Sequence, residues 1–503
     1  MEKIRVFDTT LRDGEGTPGV ALTPEDKLII ARQLDRLGVE AIEVGTPITS
    51  KGEMKSARSI IEEGLRAEIY ALGRIVKEDV DAIIKSNVKH IHLFIATSDL
   101  HLKHKLKMSR EHIIQKSLEI IDYAKSHGLI VEFSAEDATR TDLNFLKDFF
   151  KIISEAGIRR INIPDTVGVM TPSKMYKLIT EIKSVVRVPI SVHCHNDFGM
   201  AVANSIAGVE AGAEQVHVTI NGLGERAGNA SLEEVVLALK MLYNKETNIK
   251  TESLYRTSQL VSKLTKVPIP LNKAIVGDNA FAHEVGIHTH GVLASPLTYE
   301  PFSPELVGQI RKIIPGKYSG KHGIKAELES LGLYPTDEQL GEIVRQVRAL
   351  GDKGKVVTDA ELMKIGKDFT GQNIDDKKLI ELIELSVMTG TNMTSTASVR
   401  IRLNGKEFSA AETGVGPVDA AVRAIQKITS NLVNVQLKEY RLEALTGGSN
   451  AVAEVIVKVE DNIGNTFSAR SANEDIVKAS VNAMIIGINR ILFKKKRMKN
   501  VKS

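Results

Sequence analysis

Short apolar runs alternate with amphipathic stretches of helical period as far as about residue 244, and this pattern predicts repeated strand–helix units. Helical patterns such as Pro24–Leu37, Glu111–Ser126, Ser173–Val185 and Leu232–Leu242 lie between the apolar runs, and Gly38 and Gly128 are the expected C-caps of two of them. The predicted strands are Arg5–Thr10, Ala41–Gly45, Glu68–Leu72, His90–Ala96, Ile130–Ser134, Arg160–Pro164, Ile190–His195 and Gln215–Asn221. Eight parallel strands with crossover helices predict an α/β chain with a closed (βα)8 TIM barrel, a fold of about 250 residues.

An open, doubly wound sheet is the structural alternative to the barrel. That fold usually carries a G-x-G-x-x-G turn between its first strand and a helix. Here Gly14-Glu15-Gly16 is followed by Thr17-Pro18, which does not open such a helix. The barrel is therefore the favoured prediction.

The chain changes character twice after the barrel segment. The pattern of residues 245–395 is mainly helical and predicts accessory subdomains. In residues 396–503 apolar and polar positions alternate again, as in strands. Gly405–Ala410 and Gly464–Ala469 have similar sequences, and each leads into an amphipathic helix. We therefore predict a barrel over 1–244, a helical region over 245–395, and a C-terminal α+β domain with an internal repeat. Ligand sensing is the favoured role of this last domain, and dimerisation alone is the alternative.

Composition removes several classes of protein. With 42% hydrophobic and 26% charged residues the chain has an ordinary globular composition, and its 67 basic against 63 acidic residues give no reason to expect nucleic-acid binding. No apolar run approaches the roughly 20 residues of a membrane span, and the N-terminal segment lacks a secretory pattern. One cysteine cannot form an intramolecular disulfide. We expect a cytoplasmic protein with no membrane partner.

The ends of the predicted strands are rich in polar residues, and the active site of a TIM barrel lies at the carboxyl ends of its strands. His193 and His195 are two residues apart, so both face one side of the seventh strand and Cys194 faces the other. Asp13 and Asn229 follow the first and eighth strands, and in a closed barrel the eighth strand lies between the seventh and the first. These four side chains could bind Mg²⁺ or Mn²⁺, and imidazole pairs also suit Zn²⁺ or Co²⁺. Two hydrogen-bonded core histidines are the alternative.

Arg12 precedes Asp13 and would place a fixed positive charge beside the predicted metal. Such a cation favours an anionic, oxygen-rich substrate, for example a 2-oxo acid. The alternative is a structural ion pair of Arg12 with Glu225 or Asp165 at the barrel rim.

Several motifs resemble one family, the acetyl-CoA-dependent carboligases that include 2-isopropylmalate, citramalate and homocitrate synthases. The resemblance covers nearly the whole chain. The matching segments are Phe7–Glu15, Val192–Gly199, Asn221–Ala230, Asn272–Gly277, Phe281–His288 and Gly414–Ala420.

The resemblance implies an enzyme that joins acetyl-CoA, its co-substrate, to a 2-oxo acid. It implies Asp13, His193, His195 and Asn229 as metal ligands, and Arg12 as the residue that stabilises charge on the ketone oxygen. It implies that Glu136 and His288 are candidates for proton transfer, and that the partner subunit of a domain-swapped homodimer supplies His288. It also implies that an end-product amino acid, leucine or isoleucine, binds the C-terminal domain. The residues that match the family's 2-oxo-acid pocket are His92, Ser134, Asn162 and Thr166.

Substrate choice within the family depends on pocket size and on the C-terminal domain. Leu72 leaves more room than the aromatic residue that pyruvate-specific relatives can carry there, which favours 2-oxoisovalerate and hence 2-isopropylmalate synthesis for leucine. Citramalate synthesis from pyruvate is the main alternative, and homocitrate synthesis is third because those enzymes usually lack the C-terminal domain. A non-catalytic amino-acid sensor is the alternative from another class. Gly16 departs from the family, which usually has glutamine there, and the missing amide removes a polar contact beside the metal loop.

Overall fold

The computed structural model describes residues 3–355, 357–371, 379–403, 405–430, 433–444, 452–461 and 466–501. The chain forms two compact units. The first contains Met1–Phe281 and Phe302–Arg311, and the second contains Ala282–Pro301 and Lys312–Ser503.

Eight parallel strands of the first unit form a closed barrel in chain order, with β1 paired to both β2 and β8. The strands are Arg5–Asp8 (β1), Ala41–Glu43 (β2), Glu68–Arg74 (β3), His90–Ala96 (β4), Ile130–Glu136 (β5), Arg160–Asp165 (β6), Ile190–Cys194 (β7) and Gln215–Val218 (β8). The predicted TIM barrel is thus confirmed, and the open sheet is excluded because the sheet closes.

Helices connect consecutive strands and cover the outside of the barrel. They are Pro24–Leu37 (α1), Lys51–Glu62 (α2), Lys77–Lys85 (α3), Asp99–His101 (α4), Arg110–Ser126 (α5), Leu143–Glu155 (α6), Pro172–Lys183 (α7), Ala201–Glu210 (α8), Leu232–Leu242 (α9) and Leu254–Thr265 (α10). Local sequence explains their ends. In α1, Thr23 and Asp26 form a capping box, Pro24 occupies the first turn, and Gly38 ends the helix with a φ of 100°.

Apolar packing in this unit forms two layers. A large cluster fills the space between strands and helices, and it includes Cys194, which is fully buried on the side away from the two neighbouring histidines. Phe7, Ala41 and Tyr70 form a separate small cluster, in which the Phe7 and Tyr70 rings are 4.9 Å apart. Cys194 is therefore a packing residue of the core.

The barrel interior also contains a buried polar group of Glu132, Ser191, Gln215 and His217. Glu132 accepts hydrogen bonds from Ser191 Oγ and Gln215 Nε2, both at 3.0 Å, and its Oε1 lies 2.9 Å from His217 Nε2. The His217 ring stacks on Phe7 with 4.2 Å between centroids. These contacts satisfy charged groups that would otherwise be costly to bury.

Asp8 is fully buried at the end of β1, and burial raises its pKa to about 7 although Thr10 donates to it from both backbone and side chain. Because the folded-state pKa is raised, the native state retains this proton, and ionisation costs stability as the pH rises from about 4 towards 7. We expect Asp8→Asn, which stays neutral, to gain about 1–3 kcal/mol in unfolding free energy relative to wild type between pH 5 and pH 8. Thermal unfolding at both pH values measures this, with the exposed Asp122→Asn as control. Parallel curves of Tm against pH for Asp8→Asn and wild type would contradict it.

The second unit starts with short elements and a helical group. Its first part has the paired strands Ala282–His283 (β9) and Lys312–Ile313 (β10) and the helices Gly286–Ala294 (α11), Lys321–Ser330 (α12), Asp337–Asp352 (α13) and Asp359–Thr370 (α14). An apolar core joins residues of α12, α13 and α14. None of the described helices of the chain is long and apolar enough to cross a membrane.

Two similar modules follow, each with three antiparallel strands and a helix. They are Ile380–Met388 (β11), Ser395–Leu403 (β12), Lys406–Gly414 (β13) and Pro417–Thr429 (α15), then Val435–Ala444 (β14), Ala453–Asp461 (β15), Thr466–Asn473 (β16) and Ile476–Val501 (α16). The first strand of each has a register shift, between Leu382 and Glu384 and between Leu437 and Glu439. The internal repeat is thus larger than the predicted strand–helix unit. Gly464 and Asn465, part of the predicted repeat, lie outside the described residues.

Candidate active site

Asp13, His193 and His195 form a buried cluster at the carboxyl ends of β1 and β7. The Nε2 atoms of the two histidines are 3.2 Å apart, and Asp13 Oδ2 lies 3.2 Å from His193 Nε2 and 3.8 Å from His195 Nε2. The three side chains offer ligand atoms that all lie within 4.8 Å of one another. Two imidazoles whose Nε2 atoms converge, together with a carboxylate that has so little solvent contact, make a suitable site for a divalent cation.

Asn229 lies beside this cluster on the segment that follows β8. Its backbone forms an antiparallel bridge with His195, and its Nδ2 donates to Leu223 O at 3.0 Å. Its Oδ1 is buried and has no hydrogen-bond partner. Gly224 makes this position possible, because a Cβ there would lie 2.1 Å from Asn229 Nδ2. A buried oxygen without a partner next to His195 fits the predicted fourth ligand.

The charges around the cluster favour the forms that bind metals. Burial would raise the pKa of Asp13, but the Arg12 guanidinium and the hydrogen bond with His193 hold it well below its usual range. Burial and the neighbouring His193 lower the pKa of His195 to about 4. At neutral pH the carboxylate is therefore ionised and the His195 imidazole neutral, as metal coordination requires.

Arg12 is fixed by two carboxylates. Its Nε donates to Glu43 Oε2 at 2.6 Å and its Nη1 to Asp13 Oδ2 at 3.0 Å. Burial opposes ionisation of Glu43, but the charges of Arg12 and His92 outweigh it and lower the pKa of Glu43 to about 2. The suggested rim pairs of Arg12 with Glu225 or Asp165 are not formed. Glu225 instead approaches Arg226, and Asp165 accepts from Thr139 and from the backbone.

The predicted pocket residues His92, Ser134 and Asn162 form one hydrogen-bonded chain that begins at Glu43. His92 Nδ1 is 2.7 Å from Glu43 Oε1 and its Nε2 is 2.6 Å from Ser134 Oγ, which accepts from Asn162 Nδ2 at 2.8 Å. Leu72 is the register partner of His92 on β3. These contacts connect Arg12 through Glu43 to side chains on β4, β5 and β6.

Thr166 and Glu136 lie further out at the same end of the barrel. Thr166 Oγ1 accepts from the backbone N–H of Asp137 at 3.0 Å. Glu136 ends β5, and Lys105 Nζ donates to both of its carboxylate oxygens, at 2.7 and 2.8 Å. His288 belongs to the second unit, where its exposed ring packs against Tyr299 with 4.3 Å between centroids. The first unit thus contains every predicted site residue except His288.

Glu43, the carboxylate that fixes Arg12, is absent from the predicted set of site residues. The sequence did contain a signal for Glu43: a carboxylate in the middle of the apolar run Ala41–Gly45 needs a polar partner if the strand is buried. At Gly16, which departs from the family motif described above, a side chain would begin 3.4 Å from Glu225 Cγ. Position 16 is therefore adjacent to the segment that carries Asn229, and the contacts it would make with substrate stay a prediction.

Profiles of known families match almost the whole chain. The HMGL-like profile matches residues 3–261, the profile described as homocitrate synthase post-HMGL domain-like matches 275–355, and the LeuA allosteric (dimerisation) domain matches 356–492.

Individual proteins are similar over nearly their full length. A probable 2-isopropylmalate synthase of Methanopyrus kandleri is 56% identical, with 97% of this chain and 98% of that protein covered. A 2-isopropylmalate synthase of Methanocaldococcus jannaschii is 55% identical, covering 99% and 96%. An (R)-citramalate synthase of the same organism is 50% identical, covering 97% and 99%.

A solved structure supports the fold of the barrel unit. The crystal structure of the HMG-CoA lyase of Bacillus subtilis aligns with a TM-score of 0.50 at 20% identity, and the alignment covers 54% of this chain and 96% of that one. At this identity the likeness shows the fold alone.

Proposed function

Because the chain belongs to the HMGL-like family and, within it, to the 2-isopropylmalate and citramalate synthases, we propose that it condenses acetyl-CoA with 2-oxoisovalerate to form 2-isopropylmalate. The observation that carries the proposal is Arg12, which Glu43 and Asp13 hold rigidly beside the buried Asp13–His193–His195 cluster. An anionic 2-oxo acid needs such a fixed cation next to a metal site.

Asp13, His193, His195 and Asn229 would hold the divalent cation. When bound, the ion supplies Lewis acidity to the ketone and carboxylate oxygens of the 2-oxo acid. Mn²⁺ and Mg²⁺ are the favoured ions, and Zn²⁺ and Co²⁺ also suit the two imidazoles.

Arg12 would direct its guanidinium at the ketone oxygen and stabilise the negative charge that develops there. Glu136 is the candidate base that removes a methyl proton from acetyl-CoA, and His288 of the partner subunit is the second candidate for proton transfer. The resulting carbanion forms the new C–C bond with the ketone carbon, and the ketone oxygen takes up a proton to become a hydroxyl. Water then cleaves the thioester and releases CoA, which makes condensation irreversible in practice.

Release of CoA in a free-thiol assay tests this function. With Mn²⁺ or Mg²⁺ present, we expect thiol release from acetyl-CoA to be fastest with 2-oxoisovalerate, slower with pyruvate and slowest with 2-oxoglutarate. No thiol release with any of the three would leave a non-catalytic role, such as an amino-acid sensor. Fastest release with pyruvate would make the chain a citramalate synthase.

Leu72 is expected to determine how large a 2-oxo acid the pocket accepts. Leu72→Tyr should reduce kcat/KM for 2-oxoisovalerate by about 10- to 100-fold and leave that for pyruvate within about threefold, because a ring fills the space of the two additional methyl groups. Initial rates with both acids measure the change. Leu242→Tyr, at the exposed end of α9, is the matched control. An equal loss for both acids would show that Leu72 does not select between them.

The C-terminal modules are proposed to bind the end-product amino acid and to support a homodimer. Leucine would be the effector of a 2-isopropylmalate synthase, and isoleucine that of a citramalate synthase. We expect millimolar leucine to inhibit the full chain and a chain ending at Gly371, which omits both modules, to lose this inhibition. Assays with and without leucine measure it. Inhibition that persists in an active truncated chain would place the effector site elsewhere.

A further inference from the structure

A basic segment, Leu102–Lys107, lies between β4 and α5 at the carboxyl end of the barrel. Leu102–Leu106 form a π-helix, and Lys107 ends it in the left-handed region with a φ of 53°. Turns of π-helix are rare and are frequently found at functional sites. The eleven residues from Leu100 to Arg110 contain four lysines or arginines and no acidic residue, in a chain whose basic and acidic residues nearly balance.

The basic segment contacts Glu136, the candidate base, through Lys105. Lys105 donates to both carboxylate oxygens of Glu136, so its ammonium group is already engaged. Lys103 and Lys107 are each two residues from Lys105 and are exposed. The ammonium group of neither lysine has a hydrogen bond or ion pair with another residue of the described parts of the chain. Two residues span at most about 7 Å, so the Cα atoms of Lys103 and Lys107 lie within about 7 Å of the Cα of Lys105.

Acetyl-CoA has its charges far from its reacting methyl group. The methyl must reach the base, whereas the diphosphate and the 3′-phosphate lie beyond the pantetheine arm and therefore outside Glu136. On the basis of the function proposed above, we propose that Lys103 and Lys107 bind the phosphate groups of acetyl-CoA, while Lys105 remains on Glu136. Lysine is suited to this task because its compact charge binds phosphate without demanding one geometry.

Substrates that differ only in their phosphates test the proposal. In Lys103→Ala/Lys107→Ala we expect KM for acetyl-CoA to rise about 5- to 30-fold, with kcat and the KM of the 2-oxo acid unchanged. KM for acetyl-pantetheine, which has no phosphate, should be the same in variant and wild type. Acetyl-3′-dephospho-CoA shows which phosphate is bound: a smaller rise than with acetyl-CoA identifies the 3′-phosphate, and an equal rise identifies the diphosphate.

Two control variants separate charge from other effects. Lys103→Arg/Lys107→Arg retains both charges and should keep KM near the wild-type value. Lys89→Ala removes an exposed lysine immediately before β4, at the opposite end of the barrel, and should change nothing. The proposal is overturned if KM of the double alanine variant for acetyl-CoA stays within about twofold of wild type, or if KM for acetyl-pantetheine rises equally.

Calorimetric titration with CoA separates this proposal from the proposed function, because it requires no turnover. If the wild-type protein forms no product but binds CoA more tightly than the double alanine variant, the proposed function is refuted and the phosphate site is supported. If product forms but CoA affinity is equal in both proteins, the proposed function is supported and the phosphate site is refuted.

Discussion

Replacement of His193 by alanine is expected to reduce turnover by about a thousandfold or more while the barrel remains folded. His193 Nε2 lies 3.2 Å from both Asp13 Oδ2 and His195 Nε2, so its loss removes one of three converging ligand atoms. Metal activation of a carbonyl contributes several kcal/mol to catalysis, and each 1.36 kcal/mol corresponds to about a tenfold change in rate. Steady-state kinetics and calorimetric titration with Mn²⁺ measure the two effects.

The matched control is His127→Ala, which removes an exposed histidine at the end of α5. This variant should retain both turnover and Mn²⁺ affinity. Circular dichroism and Tm of His193→Ala should resemble those of wild type, because the apolar layers of the barrel do not depend on the imidazole. Wild-type turnover in folded His193→Ala would remove His193 from the active site.

The barrel could be predicted because its strands are short apolar runs at regular spacing, but strand ends near the site could not. The prediction extended the seventh strand to His195 and the eighth to Asn221. The strands end at Cys194 and Val218. His195 leaves the parallel sheet to bridge Asn229, and Ile220–Gly222 form a 3-10 turn. Such ends are set by pairing between distant segments, which local alternation does not contain.

Strand β11 of the second unit was likewise not predicted from the sequence pattern. Ile380–Met388 pairs with β12, although the sequence pattern placed it in the mainly helical region before residue 396. The register shift between Leu382 and Glu384 interrupts the alternation of this strand, so no long period-two signal is present. The repeat was detectable because β13 and β16 have similar sequences, whereas the earlier strands of each module have diverged.

Candidate ligands could be found from the sequence because alternation along one strand fixes the relative direction of His193 and His195. The partner of Arg12 could not, since Glu43 is 31 residues away and pairs through the register of neighbouring strands. The same applies to the buried contact of Glu132 with His217, 85 residues apart. Sequence pattern and family resemblance thus proposed candidate residues for binding metal and substrate, and the structure was needed to find the residues that hold these candidates in place.

Arg12→Gln is expected to lower kcat by about 100- to 1000-fold, the usual effect of losing a group that stabilises charge on a reacting oxygen. It should also destabilise the fold by about 2–4 kcal/mol, because Glu43 is fully buried and would keep only His92 as a partner for its charge. Kinetics and chemical unfolding measure the two changes. Arg32→Gln, which removes an exposed arginine paired with Glu63, is the control and should alter neither by much.

The double variant Arg12→Gln/Glu43→Gln separates these two effects. Replacing the Glu43 carboxylate by a neutral amide should restore much of the stability that Arg12→Gln loses. Two neutral amides can hydrogen-bond to each other, whereas Arg12→Gln alone leaves a buried charge without its cation. It should restore little of the turnover, since no cation would remain to face the ketone oxygen of the 2-oxo acid. Recovery of both quantities together would mean that Arg12 acts only as the structural partner of Glu43. Recovery of stability alone would assign the rate effect to the charge of Arg12 itself, with Glu43 as the residue that fixes its direction.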